Sequence, residues 1–277
     1  MLFYARVREL IGLLAGTTDL ELDRAALLVA RVEYPDLEFE PYLLLLDSHA
    51  AELDGRVGNS ADGLDYVLAA NHYLFEELGF SGNSENYYDV RNSCLNDVLT
   101  TRLGIPITLC VIYMEVARRL GRPVFGIGLP GHFLVQYNDG LLSTFIDPFH
   151  HGPLLTASEC FELARRASGL DLAADPRLLA PVSKTQIVTR MMANLRRVYV
   201  SQGAWHKALK LLNILLEARP DCALEYRERA AIHLQLSNAT AARADLERYL
   251  ELAPGAPDRD HVEQRLRTLR HYLARLN

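Results

Sequence analysis

The sequence predicts a predominantly helical α+β protein in which helices pack with a small antiparallel sheet and an α-helical repeat region follows. Three observations predict it. Apolar residues recur at helical spacing over most of the chain, as in AALLVARVEYP and PITLCVIYMEVARRL. Between Val124 and Ile146 the period changes to that of strands, with Asn138-Asp139-Gly140 as a hairpin signal. Set against itself at a shift of 34, the C-terminal third pairs Ala208 with Ala242, Leu212 with Leu246, Leu216 with Leu250 and Pro220 with Pro254.

The 277 residues are 49 % hydrophobic and 23 % charged, ample for a core and unlike a disordered chain or a disulfide miniprotein. The net charge of −6 argues against a whole-surface nucleic-acid binder. It conceals a split, because residues 184–277 hold 16 Lys and Arg against 10 Asp and Glu, leaving 13 against 25 for residues 1–183. The expected organisation is an N-terminal helical segment, 1–60, packed on a core, 61–183, with repeats and a capping helix over 184–277. Arg6, Arg8 and Glu9 interrupt the start where a secretory signal needs its apolar stretch, and no run suits a membrane span. A cytoplasmic protein is expected, with Cys94, Cys110, Cys160 and Cys222 as free thiols.

From Leu20 to about Leu53 the pattern predicts two short helices broken at Pro35, and Asp62 to Leu78 predicts another, stopped by Gly79. GFSGNSENYYDVRNS reads as a long surface loop. Around Gly104-Ile105-Pro106 one helical element ends and a second begins, since proline is tolerated in a first helical turn. That second helix, Ile107 to Leu120, is apolar nearly all round and is expected to be the buried central helix. Strands are expected at Val124–Ile127, Phe133–Tyr137 and Leu141–Ile146. With Asp139 and Gly140 as the two turn residues, His132 falls directly opposite Asp147, with Cβ atoms roughly 4.5–5.5 Å apart. The 34-residue period is that of the tetratricopeptide repeat, covering about 187–254, with a cap from about Arg259 to Leu276. Two repeats are too few for a free solenoid, so docking on the core is expected.

His132 in PGHFLVQ and Asp147 in FIDPF are the candidate catalytic pair, because a carboxylate fixes an imidazole tautomer and raises the basicity of its other nitrogen. The alternative is that they satisfy each other at a buried sheet end. Asn92, Ser93, Asn96, Arg102 and Thr108 cluster around the Gly-Ile-Pro turn as candidate cleft-lining residues, against helix capping and ion pairing as ordinary roles. His132, Asp147, His150 and His151 offer zinc-ligand types, but their spacing fits no known zinc pattern and adjacent histidines rarely share an ion. No metal and no cofactor are expected. Basic residues of the repeats, Arg196, Lys207, Arg229 and Arg248 among them, read as a solvated helical face or one drawn to the acidic part, without a nucleic-acid motif.

NSCLNDVLTTRLGIPITLCVIYMEVARRLGRPVFGIGLPGHFLVQY, followed by FIDPFHHGPLL, resembles the transglutaminase-like core of the bacterial SirB-type regulator family, whose members join such a core to tetratricopeptide-like repeats. The resemblance extends to EYPDLEFEPYLLLLD and implies a papain-like fold with a Cys, His, Asp triad in active members. In those enzymes the cysteine opens the central helix about fifteen residues before its terminal glycine. His132 and Asp147 match the other two members, whereas counting back from Gly121 reaches Pro106, which carries no nucleophile. The expectation is a non-catalytic transglutaminase-like protein that engages an unknown protein or peptide through its repeats or cleft. The alternative is a thiol hydrolase or acyltransferase using Cys110, one helical turn beyond Pro106, or Cys94. A cysteine on an apolar helix is ordinarily a small core residue.

Overall fold

The structure is a computed structural model describing residues 7–57 and 62–275. Two compact units divide the chain: residues 20–194 form one, and the described part of the other comprises 7–19 and 195–275. This differs from the sequence-derived boundaries at two points. Residues 7–19 join the repeats because their helix α1, Arg8–Leu14, packs against the repeat helix α9, Trp205–Ala218. The division also falls inside the continuous helix α8, Lys184–Ser201, rather than ahead of it.

In the larger unit α2, Leu22–Ala30, is buried at nearly every position, and α3 runs as one 18-residue helix over Glu40–Val57. Asp62 caps α4, Gly63–Asn71, by accepting from the amides of Leu64 and Asp65, both at 2.9 Å. A π-helical turn, His72–Glu77, continues it towards Gly79. The following segment is only partly a surface loop. Its β1, Ser81–Gly82, pairs in parallel with β2, Leu103–Gly104, and a 3₁₀ turn over Val90–Ser93 buries Asn92 and Ser93.

Helix α5, Leu95–Thr101, ends at Arg102, whose φ of 66° reverses the chain into β2. Pro106 is then the first residue of α6, Pro106–Arg119. Burial of α6 extends to Glu115, which accepts from Arg118 and Arg119 at 2.8 Å, while Arg119 also reaches Asp23 at 2.7 Å. Helix α6 packs against α2, α3 and the strands β3 and β4, making it the centre of the unit.

The sheet has the antiparallel order β3, Val124–Ile127; β4, Leu134–Asn138; β5, Ser143–Ile146; β6, Leu154–Leu155. The β4–β5 register pairs Val135 with Ile146 and Asn138 with Ser143, so the expected alignment of His132 opposite Asp147 is corrected by two residues. The cause is side-chain chemistry in the turn. Asp139 Oδ1 accepts from the amides of Leu141 and Leu142 at 2.9 and 2.8 Å, extending a two-residue turn to four. A slip of two conserves the face of every side chain, so Asp147 and His132 become diagonal neighbours on one face. The fourth strand, β6, was absent from the sequence expectation. Helix α7, Ala157–Ser168, packs on it, opened by a capping box between Thr156 and Glu159.

The smaller unit contains α9, α10 (Ala223–Gln235), α11 (Ala239–Leu252) and α12 (Arg259–Ala274), each packed on the next. Ala208 and Ala242 are fully buried, and Leu212 and Leu246 lie in the core at the equivalent positions. Pro220 and Pro254 stand two residues beyond the ends of α9 and α11, as the repeat predicts. Helix α12 takes the cap position; Leu276 lies outside the described residues. Among the described residues no helix is long and apolar enough to cross a membrane.

Candidate functional site

His132 follows a tight turn that only glycine can make. Gly131 has φ +74°, and a Cβ there would lie 2.6 Å from the Ala167 backbone. The turn is fastened by Arg190 of α8, whose Nη2 donates to the carbonyls of Leu129 and His132 at 2.7 and 2.5 Å. Asp147 leaves β5 and opens a 3₁₀ turn, Pro148–His150, accepting from the Phe149 amide at 3.1 Å. Its own carbonyl accepts from the Gly152 amide at 2.8 Å, and its amide donates to Pro153, so the backbone is held on both sides.

The two side chains meet. His132 Nε2 lies 3.0 Å from both Asp147 carboxylate oxygens, with the residues only 6 % and 2 % exposed. His150 joins them, its Nδ1 2.7 Å from Asp147 Oδ2. Burial pushes the Asp147 carboxyl up, but the hydrogen bonds and charges of His132 and His150 outweigh it and hold the group below the usual aspartate range. Both imidazoles turn one ring nitrogen to this carboxylate, and Nδ1 of His132 has no hydrogen-bond partner among the described residues. Phe149 packs edge-on against both rings, with centroids 6.0 Å from His132 and 5.1 Å from His150, and Tyr87 meets Phe149 at 6.2 Å.

The thiols fall into different surroundings. Cys110 is fully buried on α6, and its Sγ donates to the Phe133 carbonyl at 3.5 Å, one residue along from His132. Burial, and then the Asp147 charge, push this thiol well above the ordinary cysteine range. Cys160 on α7 also feels Asp147 and is pushed up to about 12, chiefly by burial. Cys94, also buried, stands at the N-cap of α5. Cys222, part-exposed, lies in the repeat unit.

The five candidate cleft residues have identifiable partners or positions. Asn92 donates to the carbonyls of Asn86 and Tyr87 and accepts from Asn83, tying down the loop that carries Tyr87. Thr108 joins that loop to the start of α6 by donating to the Asn92 carbonyl at 2.8 Å while accepting from the Ile105 amide at 3.1 Å. Arg102 turns to His49, 3.1 Å away, and lies over the Phe80 ring. Ser93 Oγ and Asn96 Oδ1 are buried and have no hydrogen-bond partner among the described residues. None of the five bonds to His132 or Asp147.

Phe149 and Arg190 are the site residues that sequence reasoning missed; His150 entered it only as one of four residues with zinc-ligand chemistry. Phe149 was legible only as a neighbour of Asp147 in FIDPFHH, whereas Arg190 arrives from a helix 58 residues from His132. His151 diverges, its Nε2 3.4 Å from Ser81 Oγ. Three of the four residues with zinc-ligand chemistry therefore converge: the ligand atoms of His132, Asp147 and His150 lie within 4.8 Å of one another.

Residues 40–193 match the transglutaminase-like superfamily, and residues 195–267 match the tetratricopeptide repeat. A UPF0162 protein of Xylella fastidiosa is 40 % identical over 252 residues, covering 89 % of each chain. A UPF0162 protein of Vibrio cholerae is 26 % identical over 253 residues, covering 91 % of this chain and 93 % of its own. Human F-box only protein 21 is 33 % identical over 143 residues, which are 49 % of this chain and 22 % of that protein.

Proposed function

The chain belongs to the transglutaminase-like superfamily and to its UPF0162 proteins, and we propose that it is a non-catalytic member acting in the cytoplasm as a protein-interaction or regulatory module of the SirB type. The observation that carries this reading is Pro106 as the first residue of α6, where active transglutaminase-like enzymes are expected to place their cysteine. The imidazole–carboxylate pair persists without a nucleophile at that point. Cys110, whose Sγ meets the Phe133 carbonyl, is fully buried and disfavoured as a thiolate. The tetratricopeptide region supplies the second half of the proposal, since stacked helical repeats present extended surfaces to peptides.

The test combines labelling with turnover. Iodoacetamide near neutral pH is expected to modify Cys110, Cys94 and Cys160 slowly in the native chain, with Cys222 reacting first. Peptide and ester substrates should show no hydrolysis or acyl transfer above that of a His132→Ala variant. Rapid, single-site labelling of Cys110 together with a hydrolysis that His132→Ala abolishes would replace this reading with that of a thiol hydrolase or acyltransferase.

A further inference from the structure

We propose that His132, Asp147 and His150 form a binding site for a divalent transition-metal ion, with zinc the best match. Two imidazole nitrogens and one carboxylate are a borderline-soft donor set that suits zinc and its first-row neighbours better than magnesium or calcium, which favour all-oxygen shells. His132 Nε2 and His150 Nδ1 approach the same carboxylate, at 3.0 and 2.7 Å, and the three ligand atoms lie within 4.8 Å of one another.

The Phe149 amide and His132 both reach Asp147 Oδ1, and His132 Nε2 is equally close to Oδ2. His150 turns its Nδ1 onto Oδ2 from a side chain that is 56 % exposed and has water as an alternative partner. An exposed ring converging on a buried imidazole–carboxylate pair is the arrangement of a ligand set rather than of a simple buried pair. The exposed ring also gives the ion an entry path, and solvent supplies the remaining ligand of a three-residue site.

An ion entering between these atoms would replace the contacts of His132 Nε2 and His150 Nδ1 with Asp147 by bonds from the same two ring nitrogens. The Phe149 amide keeps Asp147 oriented, and Arg190 keeps His132 in place through its backbone carbonyl.

The experiment uses the full, tag-free chain freed of metal by a chelator and then titrated with zinc chloride by calorimetry. One equivalent should bind, and His150→Ala should weaken binding at least tenfold. His151→Ala, which removes the ring that diverges towards Ser81, should bind as the parent does. Because His150 is exposed, its variant is expected to fold; its metal-free melting temperature should match the parent's, and zinc should raise the parent's melting temperature more. Absence of saturable one-to-one binding up to millimolar zinc overturns the proposal, as does equal affinity of parent and His150→Ala, or equal weakening by His150→Ala and His151→Ala.

Discussion

Arg102 Nη1 lies 3.1 Å from His49 Nε2, and this contact orders a chain of hydrogen bonds through the helical side of the core. The arginine can only donate, so Nε2 accepts and the imidazole carries its proton on Nδ1, 3.2 Å from the Tyr73 hydroxyl. Tyr73 passes its own proton to Glu52 at 2.9 Å. Each group in the series has a fixed role, and the imidazole must be neutral for the series to hold.

Stability should therefore depend on pH through His49. Burial, followed by the Arg102 charge, lowers its pKa from 6.5 to about 4. The unfolded chain then binds the extra proton first, so this contribution is complete above about pH 6.5 and is lost as pH falls towards 4, by roughly 3 kcal/mol in all. Urea unfolding between pH 7 and 4.5 should show a steeper loss in the parent than in His49→Gln. Parallel slopes would remove His49 as the cause.

Removing one acid from the network at the end of α6 should be costly. Arg119, with a side chain 13 % exposed, is held by Asp23 and Glu115, both nearly fully buried. Asp23→Ala removes a charged hydrogen bond from Arg119, which keeps Glu115 and Asp47, and is expected to cost about 1.5–3 kcal/mol in denaturant unfolding. Burial, opposed by Arg118 and reinforced by the Asp23 charge, pushes the Glu115 carboxyl up. Glu115→Gln should therefore cost much less than Asp23→Ala.

A methyl group at Gly82 should disturb the site from behind. Its Cβ would fall 2.5 Å from both Phe149 Cδ2 and the Phe149 carbonyl oxygen. The carbonyl is backbone and cannot rotate away, so the 3₁₀ turn between Asp147 and His150 must shift. Gly82→Ala should lower stability by about 1–3 kcal/mol and move the His150 ring resonances in an NMR spectrum.

Loss of Asp245 should loosen the repeats alone. Its carboxylate takes both Arg229 bonds, at 2.7 and 2.8 Å, and Arg229 also reaches Asn213 at 2.9 Å, so one side chain ties α9, α10 and α11 together. Asp245→Ala is expected to cost about 3–5 kcal/mol within that unit. Hydrogen exchange should lose protection in α9–α12 while the amides of α6 and the sheet retain theirs.

Much of the architecture is legible in the residues because it follows from local periodicity. The all-round apolar run after Pro106 had to be buried, and Ala208, Ala242, Pro220 and Pro254 mark a repeat whose small and helix-ending positions are set by close packing. The pairing of His132 with Asp147 was also readable, although by the wrong register: the Asp139 carboxylate lengthened the turn, and the even slip left both side chains on one face. Ring direction at His150 and His151 was not readable, because it depends on the left-handed conformation of His151, φ 66°, in a turn held by Gly152.

The sequence by itself determined the helical core with its small sheet, the 34-residue repeat, and Pro106 at the opening of the central helix, since period and proline geometry act over a few residues. Only the tertiary structure decided that residues 7–19 belong with the repeats, that Arg102 serves His49, and that Arg190 and His150 complete the surroundings of His132 and Asp147. The physical reason is range. Hydrogen bonds between side chains distant in the chain depend on where packed elements carry them, and no local pattern of residues encodes that position.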